Sequence, residues 1–335
     1  MQNTFRKLTL CLVLAAVGAF GQTKPSFEVA TIKPAAPLDQ AKLVAAMQAG
    51  GKLPYGANVD AHRAEYTYLD LKTLVSLAYG VKLYQVSGPD WMATTRFDII
   101  AIMPEGASKD DAPKMLRSLL ADRFQLTTHL SSAEHPVLAL VVGKGGPKMK
   151  ASEQAPVAID ETVPLKPGEL TTQGPDGPIR MTVNAATGSA VVDMGLKGKM
   201  SYKMNAGAKS MQMDFSMTTM GGFADMLTQI FSQLGGGSGR QVVDMTGIKG
   251  NYEASLEVSL ADLLNMARSA GMDIPGGGPA GGDPGNSGVG VAADPSGGAA
   301  SMTEAVQSLG LRLESRKAVV EQLIVDHVEK APTEN

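Results

Sequence analysis

The chain has 335 residues, with 44% hydrophobic and 19% charged residues, 30 Lys+Arg against 33 Asp+Glu, and one cysteine. A formal charge of −3 leaves no electrostatic footprint for nucleic acid. A single cysteine excludes an intramolecular disulfide framework and any cysteine-based zinc finger.

The first 21 residues carry an address. Arg6 and Lys7 precede an apolar run over residues 8–20, and Ala19-Phe20-Gly21 puts small residues at a cleavage site. This is the layout of a signal peptide, and the run is short for a membrane span of about 20 residues. Cys11 lies inside it, too early to bear a lipid. Cleavage after Gly21 removes both basic residues and the cysteine, taking the charge from −3 to −5. The expectation is a secreted or periplasmic soluble protein with no membrane span after signal cleavage.

Residues 26–33 (SFEVATIK) read as a first strand buried on much of both faces, and 39–48 as a helix. A strand over 64–68 leads into a helix capped by Asp70, with Leu71, Leu74, Val75 and Ala78 at helical spacing and Gly80 as its stop. After the Gly88-Pro89 turn, residues 96–103 (RFDIIAIM) form another strand. Ser108 opens a helix whose buried face is Met115, Leu116, Leu119 and Leu120. Residues 125–130 and 136–142 then read as a hairpin, with Ser131-Ser132-Ala133-Glu134 as its turn. Residues 151–205 are polar and broken by Pro and Gly, a connection with one or two strands.

Similar elements return in the same order. Met211, Met213, Phe215 and Met217 alternate with polar residues, Thr218 or Thr219 caps a helix, and short strands follow at 241–244 and 251–258. Residues 273–300 are Gly/Pro-rich and read as a disordered insertion. A helix over 302–309 and a hairpin of 311–315 with 318–326 close the chain. Gly88 leading to Phe97-Asp98 parallels Gly247 leading to Tyr252-Glu253, and 124–126 parallels 311–313. The fold class is therefore α+β, with two similar halves, each of antiparallel strands with two packed helices. The division is a signal peptide over 1–21, a first half over 22–150, a connection over 151–205 and a second half over 206–335.

Catalytic signatures are missing. Gly276 to Gly281 fits G-x-G-x-x-G, but no strand precedes it and no helix follows, so no dinucleotide site is assigned. There is no H-E-x-x-H, G-x-S-x-G or Walker A loop. The methionines 200, 204, 211, 213, 217, 220 and 226 raise copper binding, but core packing explains them better. His129 and His135 face each other across their hairpin without a third ligand, so no metal site and no cofactor is assigned. The binding candidates are Trp91, Asp90 and Asp98: a rigid aromatic with two nearby carboxylates at a turn and strand.

The segments FEVATIKP (27–34), GPDW (88–91), RFDI (96–99), LLADRF (119–124), VDMTG (243–247) and VDHVEK (325–330) together are specific. They resemble an exported domain-of-unknown-function family expanded in soil acidobacteria. That family offers no established activity or catalytic residues to transfer. Some of its relatives look fused to membrane-bound sensor-type metallopeptidase regions, which implies sensing or binding outside the cytoplasm. The helix–strand units are also distantly similar to the N-terminal modules of secretins and TonB-dependent receptors. The first expectation is a non-catalytic binding or interaction module, with an extracytoplasmic protein or small ligand as partner. The competing one is a secreted hydrolase of unfamiliar class acting on peptide or glycan through such carboxylates.

Overall fold

Strand alternation, helix caps and glycine stops lay down a mixed α/β chain. The computed structural model describes residues 24–184, 186–205, 207, 209–233, 240–261 and 297–333. The signal-peptide stretch and most of the 273–300 insertion fall outside the described residues.

The first elements are β1 (Val29–Pro34), α1 (Gln40–Ala49), β2 (Gly51–Lys52), β3 (Gly56–Val59), β4 (Arg63–Asp70) and α2 (Leu71–Tyr79). Next come β5 (Val86–Ser87), β6 (Arg96–Ile102), α3 (Ala112–Arg123), β7 (Thr127–Val142) and β8 (Lys150–Ala151). Then follow β9 (Glu169–Gly174), β10 (Gly177–Asn184), β11 (Ser189–Asp193), β12 (Lys199–Asn205) and β13 (Ser210–Thr218). The chain closes with α4 (Met220–Gln233), β14 (Val242–Asp244), β15 (Tyr252–Ser259), α5 (Gly297–Ser308) and β16 (Leu311–His327).

Local chemistry accounts for the helices. The Asp70 carboxylate accepts the Thr73 amide at 2.9 Å, and Gly80 (φ 64°) ends α2 in the left-handed conformation. Ser108 and Asp111 cap each other ahead of α3, where Pro113 falls in the first turn and forfeits no helix bond. The Thr219 hydroxyl accepts the Gly222 amide at 3.1 Å and caps α4.

Twelve strands form one sheet, in the order β1-β6-β4-β3-β9-β10-β11-β12-β13-β15-β8 with β2 beside β9. A four-stranded sheet runs β14-β7-β16-β5. The first is antiparallel except where β2 meets β9; in the second, β14 runs parallel to β7 and β5 parallel to β16. β1 is an edge strand with Ile32 buried and Val29 60% exposed, so it is not buried on both faces.

Two cores result. One gathers α2, α3 and the inward residues of β4 and β6 around Phe97 and Phe124, whose rings meet edge to face at 5.0 Å. The other gathers α4, α5, β13 and β15 around Phe215 and Phe223, edge to face at 5.2 Å. The long strands tie the cores together reciprocally. Leu323 and Val325, near the end of β16, are buried in the first core, and Leu140, near the end of β7, is buried in the second.

Two expected hairpins are corrected by this pairing. β7 and β16 are single strands of 16 and 17 residues, hydrogen-bonded to each other along their length. Ser131, Ser132, Ala133 and Glu134 lie opposite Gln322, Glu321, Val320 and Val319. A solvated ribbon needs no apolar alternation, so its middle has the composition of a turn. Residues 151–205 likewise carry β9 to β12, more than the one or two strands expected, and these bridge β3 to β13.

Candidate functional site

Two strand pairs are interrupted in the same way. Between β4 and β6 the register runs Tyr66 to Ile99 and then Leu69 to Phe97, so two residues oppose Asp98 alone. Between β13 and β15 it runs Phe215 to Ala254 and then Thr218 to Tyr252, so two residues oppose Glu253 alone. Each bulge holds a non-glycine residue at positive φ: Tyr68 at 57° and Met217 at 56°. Such a conformation costs on the order of 1–2 kcal/mol and persists where flanking structure enforces it. A helix starts three residues after each, α2 at Leu71 and α4 at Met220.

The bulge at Tyr68 is filled by the chain itself. Asp98 Oδ1 accepts the Tyr68 amide at 2.8 Å, and Arg96 Nη1 donates to the Tyr68 carbonyl at 3.3 Å. The Arg96 guanidinium lies 4.8 Å from the Tyr68 ring centroid and 3.5 Å from the Asp70 carboxylate.

The bulge at Met217 is open. Among the described residues no side chain is hydrogen-bonded to the Met217 backbone. Glu253, opposite the bulge as Asp98 is in the other pair, lines a cleft of about 430 Å³ with Lys150, Glu153, Gln154, Ser216 and Met217. A second cleft of about 280 Å³ begins on the far side of Gln154 and Met217, where Ile159, Arg180, Asp193 and Lys199 line it. Sharing Gln154 and Met217, the two make one trough.

Its outer wall is the irregular stretch of residues 152–163, bent at 153–154 and turning at 161–163. The Ser152 amide donates to the Asn251 carbonyl at 2.8 Å, and Arg180 Nη2 donates to the carbonyls of Asp160 and Val163, both at 2.7 Å. Lys109 pairs with Glu161 and fastens the stretch to the turn before α3. The floor is fixed by Gly198 (φ 91°), where a Cβ would stand 2.5 Å from the Ser216 carbonyl oxygen and 2.8 Å from that of Met217. Charges of both signs face the trough: Lys150 lies 3.7 Å from Glu153, and Lys199 2.9 Å from Asp193.

A second polar group joins the turn after α2 to α4. Lys82 pairs with Asp176 in the β9–β10 turn and lies 3.6 Å from Asp225 on α4, while the Tyr84 hydroxyl donates to Asp225 at 2.6 Å. Lys197 approaches Asp176 at 3.6 Å. Burial opposes the Lys82 charge, but the hydrogen bond and charge of Asp176 and the charge of Asp225 outweigh it and raise its pKa. Burial, then the Asp225 bond, pushes the Tyr84 phenol well up.

The sequence candidates take other positions. Asp98 is the acceptor inside the first bulge. Asp90 is exposed at the start of a single turn, where its charge reaches Lys72. Trp91 is half-buried against the first core, with the Lys330 ammonium 5.7 Å from its ring centroid. None of the three lines the trough. His129 pairs with Asp326 at 2.9 Å. His135 is six residues further along the same strand, about 20 Å away, so the two do not face each other. Met213, Met220 and Met226 are core residues, while Met204 faces Met211 across the strands and is 41% exposed. Among the described residues no three or more His, Cys, Asp or Glu converge on one point, and no helix is long and apolar enough to cross a membrane.

Sequence reasoning did not bring Lys150, Glu253 and Met217 together, because what unites them is the bulge between β13 and β15 and the long-range pairing of Glu253 with Lys150. The one available signal was that Glu253 occupies the place of Asp98 after each Gly turn. No curated protein and no solved structure matches the chain. A family model described as a protein of unknown function (DUF3738) matches residues 72–328, from the first turn of α2 to the residue after β16. The chain therefore belongs to the DUF3738 family.

Proposed function

We propose that this protein is a non-catalytic binding module acting outside the cytoplasm, and that its ligand site is the trough above Met217. One observation carries this reading: of two bulges built alike, one is filled by Arg96 and Asp98 and the other opens on a charged, two-lobed cleft. A trough lined by side chains of both charges, its outer wall held by the Ser152 amide and the Arg180 guanidinium, supports a binding role.

We read the two halves as copies of one unit. In support, β1 and β8 meet β6 and β15 in the same register, Lys33 opposite Asp98 and Lys150 opposite Glu253. The Ala35 amide then bonds the Arg96 carbonyl as Ser152 bonds that of Asn251. α3 and α5 each span 12 residues and lead through a positive φ, at Gln125 and Gly310, into β7 and β16. On this reading residues 124–126 correspond to 309–311 rather than 311–313, and 151–205 belongs to the second copy.

Two experiments test the proposal. In NMR titrations of the mature chain with short peptides and oligosaccharides, the amides of Ser216, Met217 and Glu253 are expected to shift; shifts confined to other surfaces overturn the site. N-terminal sequencing after expression in a bacterium with an export pathway is expected to begin at Gln22, outside the cytoplasm. A full-length chain retained in the cytoplasm overturns the location. The hydrolase reading has one observation in its favour, the carboxylates of Glu153 and Glu253 in a single lobe. Turnover of a peptide or glycan panel that Glu253→Gln abolishes would replace the binding reading with it.

A further inference from the structure

Taking the trough above Met217 as the ligand site, we infer that it binds an extended peptide through an arginine side chain lodged between Glu153 and Glu253. The filled bulge shows what is missing from the open one. At the first bulge Arg96 lies opposite Asp70, one position past the Leu69–Phe97 pair, and its guanidinium covers Tyr68. At the second, Thr218 pairs with Tyr252, which sets Asn251 against Thr219 at that position. The internal cation and its carboxylate partner are both replaced by neutral residues.

Charge in the first lobe points the same way. Lys150 stands against Glu153 and Glu253, leaving one negative charge without a partner in the lobe. In the first half the residue matching Glu253 is occupied, because Asp98 holds the Tyr68 amide. A planar guanidinium can bridge two carboxylates and lie on a thioether or ring face at once, which an ammonium cannot do as well.

Shape selects a chain over a compact ligand. The lobes share Gln154 and Met217 and follow one another along residues 152–159, and Val157 and Ile159 in the second lobe offer apolar contact to a flanking side chain. The protein's own strand β8 already sets a lysine opposite Glu253 at this edge. A basic residue in extended backbone is thus a partner that Glu253 meets within the fold.

The probes are acetylated, amidated pentapeptides Ala-Val-Xaa-Val-Ala with arginine, lysine or citrulline at the centre, titrated into the mature chain at low salt. The arginine peptide is expected to bind roughly tenfold more tightly than its neutral citrulline isostere, the scale of one charge-assisted pair. Glu253→Gln should bring it down to the citrulline level. Asn251→Arg, which supplies the arginine found at the first bulge, should abolish binding without lowering Tm. Equal affinity for arginine and citrulline peptides, or undiminished binding by Asn251→Arg, overturns the inference. If citrulline peptides or neutral sugars still shift Ser216, Met217 and Glu253, the trough survives as a site and only the cation is wrong. If no probe moves those amides, both readings fall.

Discussion

The bulges at Tyr68 and Met217 share a backbone and differ in what fills them. Both place a residue at φ near +57° opposite a single acidic residue, and both lead directly into a helix. At Tyr68 the acidic residue is an aspartate that reaches the bulge amide, and an arginine seals the carbonyl side. At Met217 the acidic residue is one methylene longer and lines a cleft, and asparagine stands where the arginine was. The same irregularity is thus filled by side chains in one place and lines a cleft in the other. Side-chain length and a single charge decide which.

The largest effects come from breaking the frame that makes the bulges comparable. Leu323→Ala opens a cavity in the first core from a strand of the second half, and Leu140→Ala does the reverse. Each should cost about 2–5 kcal/mol. Because the buried ends are exchanged, Leu323→Ala should raise amide exchange in α2 and α3, and Leu140→Ala in α4. Denaturant melts give the loss, and hydrogen exchange gives its place. Loosening confined to the variant's own half would mean that the cores do not depend on each other.

Next is the floor of the open bulge. Gly198→Ala sets a Cβ against the Ser216 and Met217 carbonyl oxygens at a backbone conformation alanine rarely adopts. A loss of about 1–3 kcal/mol is expected, along with altered Ser216 and Met217 amide shifts. A neutral effect on Tm would show that the floor can yield and that the trough is not preformed.

The comparison itself is tested by paired truncation. Asp98→Ala strands the Tyr68 amide and should cost about 1–3 kcal/mol, whereas Glu253→Ala should stay within about 0.5 kcal/mol. Equal losses in thermal melts would erase the distinction between a structural carboxylate and an available one.

Much of the frame was legible in the sequence. Leu71, Leu74, Val75 and Ala78 between Asp70 and Gly80 specify α2 through spacing and caps, and the structure buries all four. RFDIIAI is a strand by alternation, and it is one. What failed was non-local. The middle of the β7–β16 ribbon is polar because it faces water, and only its partner strand tells it from a turn. The bulges were hidden for a different reason: neither Tyr68 nor Met217 is a glycine, and Met217 continues the alternation of Met211, Met213 and Phe215 that the backbone in fact breaks. Asp98, expected as a binding carboxylate, accepts the Tyr68 amide inside the first bulge. Its counterpart Glu253 lines the trough, and nothing local distinguishes the two.

The smallest expected effect concerns what holds the turn after α2 against α4. Lys82, Asp176, Tyr84 and Asp225 bridge the turn after α2 to α4. Folding raises the Lys82 pKa above its ordinary 10.5, because Asp176 and Asp225 outweigh the burial that opposes its charge. A raised pKa means that the protonated form favours the fold. Its contribution is complete below pH 10.5 and is lost as pH rises through the folded-state value. Lys82→Met should therefore melt below the wild type by a constant margin from pH 7 to about 10, with the margin narrowing above that. Tyr84, also raised, loses stability in the same alkaline range in both proteins, so the difference between them isolates the lysine. With Asp176 and Asp225 both partly exposed, the margin should be on the order of 1 kcal/mol or less. A margin that persists unchanged to pH 11 would mean that the largely buried lysine stem matters more than its charge. The turn after α2 would then be held to α4 by apolar contact and not by the ion pairs.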